Sequence, residues 1–296
     1  MYHSYNPEIA ARKARNVEVF DETMKISTRG WYDAPRGRVN LPPPVQVLNA
    51  SRFYQDAPRV YNVPTRADTV IDAANADCID VTRDLVEQGY RPIMLNMANR
   101  HTPGGGVLNG ARAQEESLFR QSNLCVSLYQ YSDYHARLLG LPKARESYPM
   151  DRNTGGIYSG RVTFFRTSQF NGDRLLDTPF ECAVVSVAAI NNPPKDAYGR
   201  LVPWAAEATK TKIRTMLRIA LGNGHDAIVL GAWGCGAFHN PPEHMAELFD
   251  DMLHENEFAN KFKVVRFAVI EDHNSRHLNF RPFAERFNRD RRPNGK

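Results

Sequence analysis

The chain has 296 residues, of which 42% are hydrophobic, 24% charged and 10% aromatic, the balance of a soluble globular protein with room for one large domain or two small ones. Disorder, collagen-like repeats and a membrane bundle are excluded as its main character, because no stretch approaches the roughly 18 consecutive apolar residues of a spanning helix. The net charge of +5 is concentrated at one end: residues 281–296 carry six basic and two acidic side chains, which leaves only +1 for the other 280. A solvated basic terminus is expected there rather than a nucleic-acid arm.

The N-terminal MYHSYNPEIAARKARNVEVF lacks the apolar core of a secretory signal, so an intracellular protein is expected, in the cytoplasm with the nucleus left open. Residues 1–40 read as an extension, helical around residues 12–15 and then looped through WYDAPRGRVNLPPPV, where three consecutive prolines forbid a regular helix. From Val70 the pattern is regular. TVIDAANA reads as a strand, DCIDVTRDLVEQG as a helix stopped by Gly89, and RPIMLNMAN as a second buried strand, an order that predicts a right-handed parallel crossover. Beyond a glycine-rich loop, ESLFRQSNLCVSLYQYSD has apolar residues at helical spacing. Residues 141–181 read as strand-poor connections with one short strand at GRVTFFR. Then come a buried strand (CAVVSVAAI), a long helix (WAAEATKTKIRTMLRIALGNG), a strand (DAIVLGAW), a helix opened by prolines (PPEHMAELFDDMLHEN) and a last strand (KVVRFAVIED). The alternation predicts an α/β sandwich with helices on both faces of the sheet. The ligand crevice of such a sheet lies beyond the carboxyl ends of its strands, where two glycine-rich loops fall here.

The first loop holds Gly104, Gly105 and Gly106. Three consecutive glycines are tolerable where the backbone needs positive φ or must approach a ligand closely, and exposed amides in that conformation suit phosphate; a plain tight loop is the other reading. The second, running from Gly231 through Gly234, Cys235, Gly236, Ala237 and Phe238, leaves a strand and enters a helix. Its amides, with that helix's N-terminus, suit an anion. Its glycines fall as GxxGxG, so it is neither a Walker loop nor the GxGxxG fingerprint of dinucleotide oxidoreductases. Phe238 beside it is either a core aromatic or a planar cover for a ribose or base.

Gln114, Glu115 and Glu116 open the helix after the first loop, where acidic residues favour the macrodipole without further function. Adjacent helical residues point roughly 100° apart, so this pair cannot flank one bond like the opposed carboxylates of an ordinary glycosidase. Different tasks are expected of the two, one orienting a hydroxyl and the other giving a proton. Cys78, Cys125, Cys182 and Cys235 form no CxxC pair, so reduced thiols are expected. His239 with His244, and His273 with His277, lack a convincing third ligand, so neither a metal nor a redox cofactor is expected.

The segment LNMANRHTPGGGVLNGARAQEESLFRQSNL resembles the signature of the microbial-type poly(ADP-ribose) glycohydrolases, GGG followed after a short spacer, here seven residues, by QEE. The similarity extends from about Ala74 through VVSVAAINNP and LGAWGCGAFHNPP to FAVIED. It implies a macrodomain-like three-layer α/β/α sandwich with a mixed, mostly parallel sheet; with the N-terminal helical extension and basic terminus read above, which lie outside the resemblance, the chain divides as extension 1–44, catalytic domain 45–288 and basic tail 289–296. The resemblance also implies hydrolysis of ribose–ribose bonds, mainly from the polymer terminus.

Carried onto this sequence, the resemblance makes Glu116 the general acid that protonates the leaving ribose oxygen. Glu115 would hold the reacting ribose by its hydroxyls, and Gln114 would position them. Gly104, Gly105 and Gly106 would shape the catalytic loop, and Gly234, Cys235, Gly236 and Ala237 would take the diphosphate, with Phe238 on the terminal ribose. Asn96 and Asn99 are candidate ribose or loop-fixing donors, a capping or turn role being the alternative for each. Asp77 resembles the acid that accepts from the adenine amino group, or is an ordinary N-cap. A general acid must hold its proton before attack, which asks for a partly desolvated place beside another carboxylate. The family's asparagine before PGGG is Thr102 here.

The implied partners are poly(ADP-ribose) or ADP-ribosylated proteins, with ADP-ribose as product, for a monomer that neither enters a membrane nor binds DNA directly. A mono-ADP-ribosyl-protein hydrolase and a non-catalytic ADP-ribose reader are the alternatives.

Overall fold

The computed structural model describes residues 6–60, 63–271 and 278–288; the tail 289–296, His273 and His277 lie outside the described residues. In chain order the elements are α1 (Pro7–Arg29), β1 (Trp31–Ala34), β2 (Gly37–Asn40), α2 (Pro44–Asn49), β3 (Ser51–Tyr54), β4 (Val70–Ala74), α3 (Cys78–Glu87) and β5 (Pro92–Met97). They continue with α4 (Gln114–Gln121), α5 (Leu124–Tyr129), α6 (Asp133–Leu139), β6 (Gly156–Arg166), β7 (Leu175–Val187), α7 (Pro203–Gly222), β8 (Ala227–Leu230), α8 (Pro242–Leu253), β9 (Val264–Ala268) and α9 (Phe280–Phe287). Seven strands form one sheet in the order β3-β6-β7-β5-β8-β9-β4. The chain divides into two compact units, Met1–Arg52, Ala98–Pro149 and Ser159–Glu181 in the first, and Phe53–Met97, Met150–Tyr158 and Cys182–Lys296 in the second.

The second unit carries the parallel strands. Apolar runs such as Ile93, Met94 and Leu95 are buried to 1% exposure or less, because strands covered on both faces have no solvent side to alternate with. β5 pairs in parallel with β7 (Leu95↔Val185) and with β8 (Ile93↔Ile228), β8 pairs with β9, and β9 with β4. β4 and β5 therefore run parallel as expected, but β8 and β9 lie between them, so the crossover through α3 does not join neighbours. On the helical side Arg214 and Arg218 pair with Glu255 and Glu257, and Lys210 with Asp251, a ladder at one-turn spacing along α7.

The first unit is built on α1. Its buried residues Asn16, Val19, Phe20, Thr23, Ile26 and Ser27 recur at helical spacing, and Phe20 packs on the rings of Phe119 and Tyr129. Full burial of Phe20 contributes about 1.5–3 kcal/mol.

Four local expectations are corrected. Residues 31–40 form a hairpin, not a loop: β1 and β2 pair from Trp31↔Asn40 to Ala34↔Gly37, the turn is released by Gly37 at φ +129°, and Arg29 and Arg38 lie over the Trp31 ring. Residues 141–181 are rich in strand, since β6 has 11 residues and β7 has 13. The helical run after Gln114 breaks at Ser122 and Asn123, where Ser122 Oγ donates back to Leu118 O and Asn123 Oδ1 accepts from the Thr163 N–H. Residues 280–287, counted partly with the basic terminus, form α9, which places Phe283 and Phe287 against Phe267. Among the described residues no helix is long and apolar enough to cross a membrane.

Burial lowers the proton affinity of His135, His225 and His244 below the ordinary histidine value. His244 Nδ1 accepts the Leu201 N–H at 2.9 Å, a bond only the unprotonated nitrogen can make. Below about pH 6.5 the unfolded chain binds protons that the folded chain refuses, so this stability is present above that pH and is lost as pH falls through the lowered folded values. Thermal unfolding is expected to show a midpoint that drops from pH 7 to pH 5, with a shallower drop in His244→Gln. An identical slope in the variant would remove His244 from this account.

Candidate active site

In the first unit, residues 98–113 lead into α4, and the glycine run binds an anion that belongs to the protein. The Gly104 N–H donates to Glu115 Oε1 at 3.1 Å and the Asn99 N–H to Glu115 Oε2 at 2.7 Å, while the Gly106 N–H donates to Glu116 Oε1 at 2.9 Å. The reading of these amides as a phosphate cradle is thereby corrected. Both carboxylates are buried, at 4% and 7% exposure, and hydrogen bonds from N–H groups to a charged acceptor are what offset such burial. The two glutamates are not equivalent. Both oxygens of Glu115 are held, whereas Glu116 Oε2 is buried with no hydrogen-bond partner among the described residues.

The glycines are required by that closeness. Gly105 has φ +55°, and a Cβ there would lie 2.6 Å from Glu116 Oε1 and 3.3 Å from Glu115 Oε2. At Gly104 a Cβ would lie 2.6 Å from the Phe119 ring, and at Gly106 it would lie 2.8 Å from Ala111 Cβ. Asn99 Oδ1 accepts from the N–H groups of His101 and Thr102, so its side chain takes the turn role that the sequence left open. Gln114 is the first, half-buried residue of α4.

Sequence reasoning missed the supports of this loop. Asn16 Nδ2 in α1 donates to Gly110 O at 3.0 Å, Thr23 Oγ1 donates to Arg120 O at 2.6 Å, and a side chain at Gly110 would collide with the Lys13 backbone. Arg120 itself is fully buried and donates to Ala111 O at 2.8 Å. Polar residues two turns apart on the inner face of α1 were the available signal, since a buried polar atom requires a partner.

In the second unit, residues 231–241 leave β8 and are suspended from Asn240, which the sequence did not single out. Asn240 Nδ2 donates to Ile190 O at 2.8 Å and to Gly234 O at 3.1 Å, and its N–H also reaches Gly234 O. Gly234 has φ +76°, and a Cβ there would lie 2.6 Å from Asn240 Nδ2 and 2.7 Å from Ala189 Cβ. The Asn192 N–H donates to Phe238 O, and Trp233 Nε1 to Val187 O. Among the described residues the N–H groups of Gly234, Gly236, Ala237 and Phe238 meet no acceptor, while the Cys235 N–H is taken by Ala232 O. Unclaimed amides grouped in one loop before α8 are donors of the kind an anion accepts from.

The remaining residues stand apart in that unit. Asp77 is the N-cap of α3, its Oδ1 accepting the Ile79 N–H at 2.8 Å. Asn96 is fully buried one residue before the carboxyl end of β5, and its Nδ2 donates to Ser186 Oγ on β7 at 3.0 Å. Thus Asn99, the three glycines and both glutamates are brought together in the first unit, residues 234–238 share one loop in the second, and Asp77 and Asn96 occupy separate structural positions.

The family model for the microbial-type PARG catalytic domain matches residues 21–167. Among solved structures, the poly(ADP-ribose) glycohydrolase of Thermomonospora curvata is similar at 30% identity and TM-score 0.78, covering 93% of this chain and 100% of its own. A second structure of it, bound to the inhibitor ADP-HPD, gives 31% identity, TM-score 0.72 and coverage of 90% and 98%. The poly(ADP-ribose) glycohydrolase of Deinococcus radiodurans in complex with ADP-ribose is similar at 26% identity and TM-score 0.63, covering 85% of this chain and 99% of its own. No curated protein matches.

Gly105→Ala is expected to cost about 1–2 kcal/mol from backbone strain alone and to push Glu116 Oε1 off the Gly106 N–H. Urea unfolding and a crystal structure of the variant check both effects; wild-type stability with Glu116 unmoved would refute the cradle.

Proposed function

We propose that this chain, which belongs to the microbial-type poly(ADP-ribose) glycohydrolase family, hydrolyses the ribose–ribose O-glycosidic bonds of poly(ADP-ribose) and releases ADP-ribose, chiefly from the chain terminus. The observation that carries this reading is the unequal binding of two buried carboxylates by one glycine loop. Glu116 keeps one oxygen unpartnered among the described residues, the atom from which a proton can pass to the leaving ribose oxygen. Glu115, fixed at both oxygens, presents a rigid acceptor to the ribose hydroxyls.

As the glycosidic bond breaks, its oxygen takes the Glu116 proton and the anomeric carbon acquires oxocarbenium character. Water then adds to that carbon while the Glu116 carboxylate takes the water's proton, which restores the acid. The open amides of residues 234–238 are assigned to the diphosphate, Phe238 to the terminal ribose and Gln114 to positioning of the glutamates' substrate contacts. Asp77 is assigned to the adenine amino group alongside its cap of α3. Asn96 acts indirectly, by joining β5 to β7. In this reading residues 45–288 are the catalytic domain and 1–44 its extension, and the protein acts as a monomer on polymer or on ADP-ribosylated proteins.

The test incubates wild type and Glu116→Gln with poly(ADP-ribose) and identifies products by mass spectrometry. Wild type is expected to yield free ADP-ribose, and the variant to bind polymer while cutting about 10³-fold more slowly. Binding of ADP-ribose without cleavage by either protein would make this a reader; release only from singly modified protein would make it a mono-ADP-ribosyl hydrolase.

A further inference from the structure

Arg120 is the fourth residue after Glu116 in α4, on the same helical face, and its side chain is fully exposed to protein and not at all to water. Arginine is almost never buried to this degree without a paired anion. Here it makes no ion pair among the described residues: Nη1 donates to Ala111 O at 2.8 Å, Nη2 to Gln169 Oε1 at 3.3 Å, and Nε has no partner among them. Burial lowers its proton affinity, and the neighbouring charges of Asp173 and Glu116 raise it again, against Arg112. A guanidinium remains charged regardless.

A closed path joins this cation to the general acid. Ala111, whose carbonyl Arg120 holds, donates its N–H to Gly106 O at 3.2 Å, and Gly106 donates its own N–H to Glu116 Oε1. The charge balance of the reaction adds a second link. Before the proton transfer Glu116 is neutral beside Glu115; afterwards two adjacent buried carboxylates are both ionised, a state that like-charge repulsion opposes.

Resting on the glycohydrolase reading above, we propose that Arg120 is a positioning residue of the hydrolysis, whose buried cation offsets the charge Glu116 acquires when it gives up its proton and whose bond to Ala111 fixes the loop holding Glu116. It touches no substrate. Its influence is exerted on kcat and not on binding, because it matters most after the proton has moved.

Three substitutions test this against polymer, with ADP-ribose affinity and thermal midpoint measured beside kcat. Arg120→Gln removes the cation and is expected to lower kcat about 10²-fold with ADP-ribose affinity unchanged, while Arg120→Lys, which keeps the charge, restores most of the loss. Gln169→Glu keeps size and acceptor, and places a carboxylate against the guanidiniums of Arg120 and Arg112; it is expected to fold with an equal or higher midpoint, yet to lower kcat about tenfold. A merely structural arginine predicts no such split. Wild-type kcat in Gln169→Glu overturns the proposal whether or not Arg120→Gln folds. Failure of wild type to release ADP-ribose from polymer overturns the glycohydrolase reading, and the proposal with it.

Discussion

Burying two neighbouring carboxylates is among the most costly arrangements a small protein can contain, since each must be desolvated and the two repel. In the first unit backbone N–H groups are in direct contact with both carboxyl groups. N–H groups of Asn99, Gly104 and Gly106 bind Glu115 and Glu116 directly, and backbone dipoles cannot rotate away as a lysine or arginine could. Everything around the loop then serves to keep those dipoles aimed. Phe119 fills the space beside Gly104, Ala111 closes the turn at Gly106, and α1 holds Gly110 and Arg120 through Asn16 and Thr23.

The loop of the second unit follows the opposite logic. Its own hydrogen bonds fix its shape through Asn240, Asn192 and Trp233, yet they leave the N–H groups of Gly234, Gly236, Ala237 and Phe238 without acceptors among the described residues. One glycine loop thus spends its amides on the protein's own carboxyl groups and the other leaves most of its amides unclaimed among the described residues. Similar glycine content hides that difference, which lies in where the amides point.

Much of this was legible in the sequence. The apolar runs that became β5, β7, β8 and β9 announce buried parallel strands, and QEE after GGG marks the segment whose two glutamates the glycine loop binds. The hairpin at residues 31–40 was hidden because its eight paired residues do not alternate and three prolines follow. The first half of β7, LLDTPFE, mixes polar residues and a proline with apolar ones and is half-exposed, unlike the CAVVSV that completes it. In α9 the arginines masked Phe283 and Phe287 at i,i+4. Arg120 and Asn16 were unreadable as site residues for a different reason: their role is made by tertiary contacts with residues 111 and 110, which no local pattern encodes.

The two compact units are not consecutive in the chain, for the backbone passes from one to the other after Arg52, Met97, Pro149, Tyr158 and Glu181. The glutamates, with the glycine loop that binds them, lie in the middle segment of the first unit, while the helix that buttresses them lies in its opening segment. Such a layout prevents the first unit from behaving as a cassette. Any contiguous fragment that holds the whole unit also carries stretches of the other, and a gene fusion that borrowed residues 98–149 alone would inherit the signature without the helix that supports it.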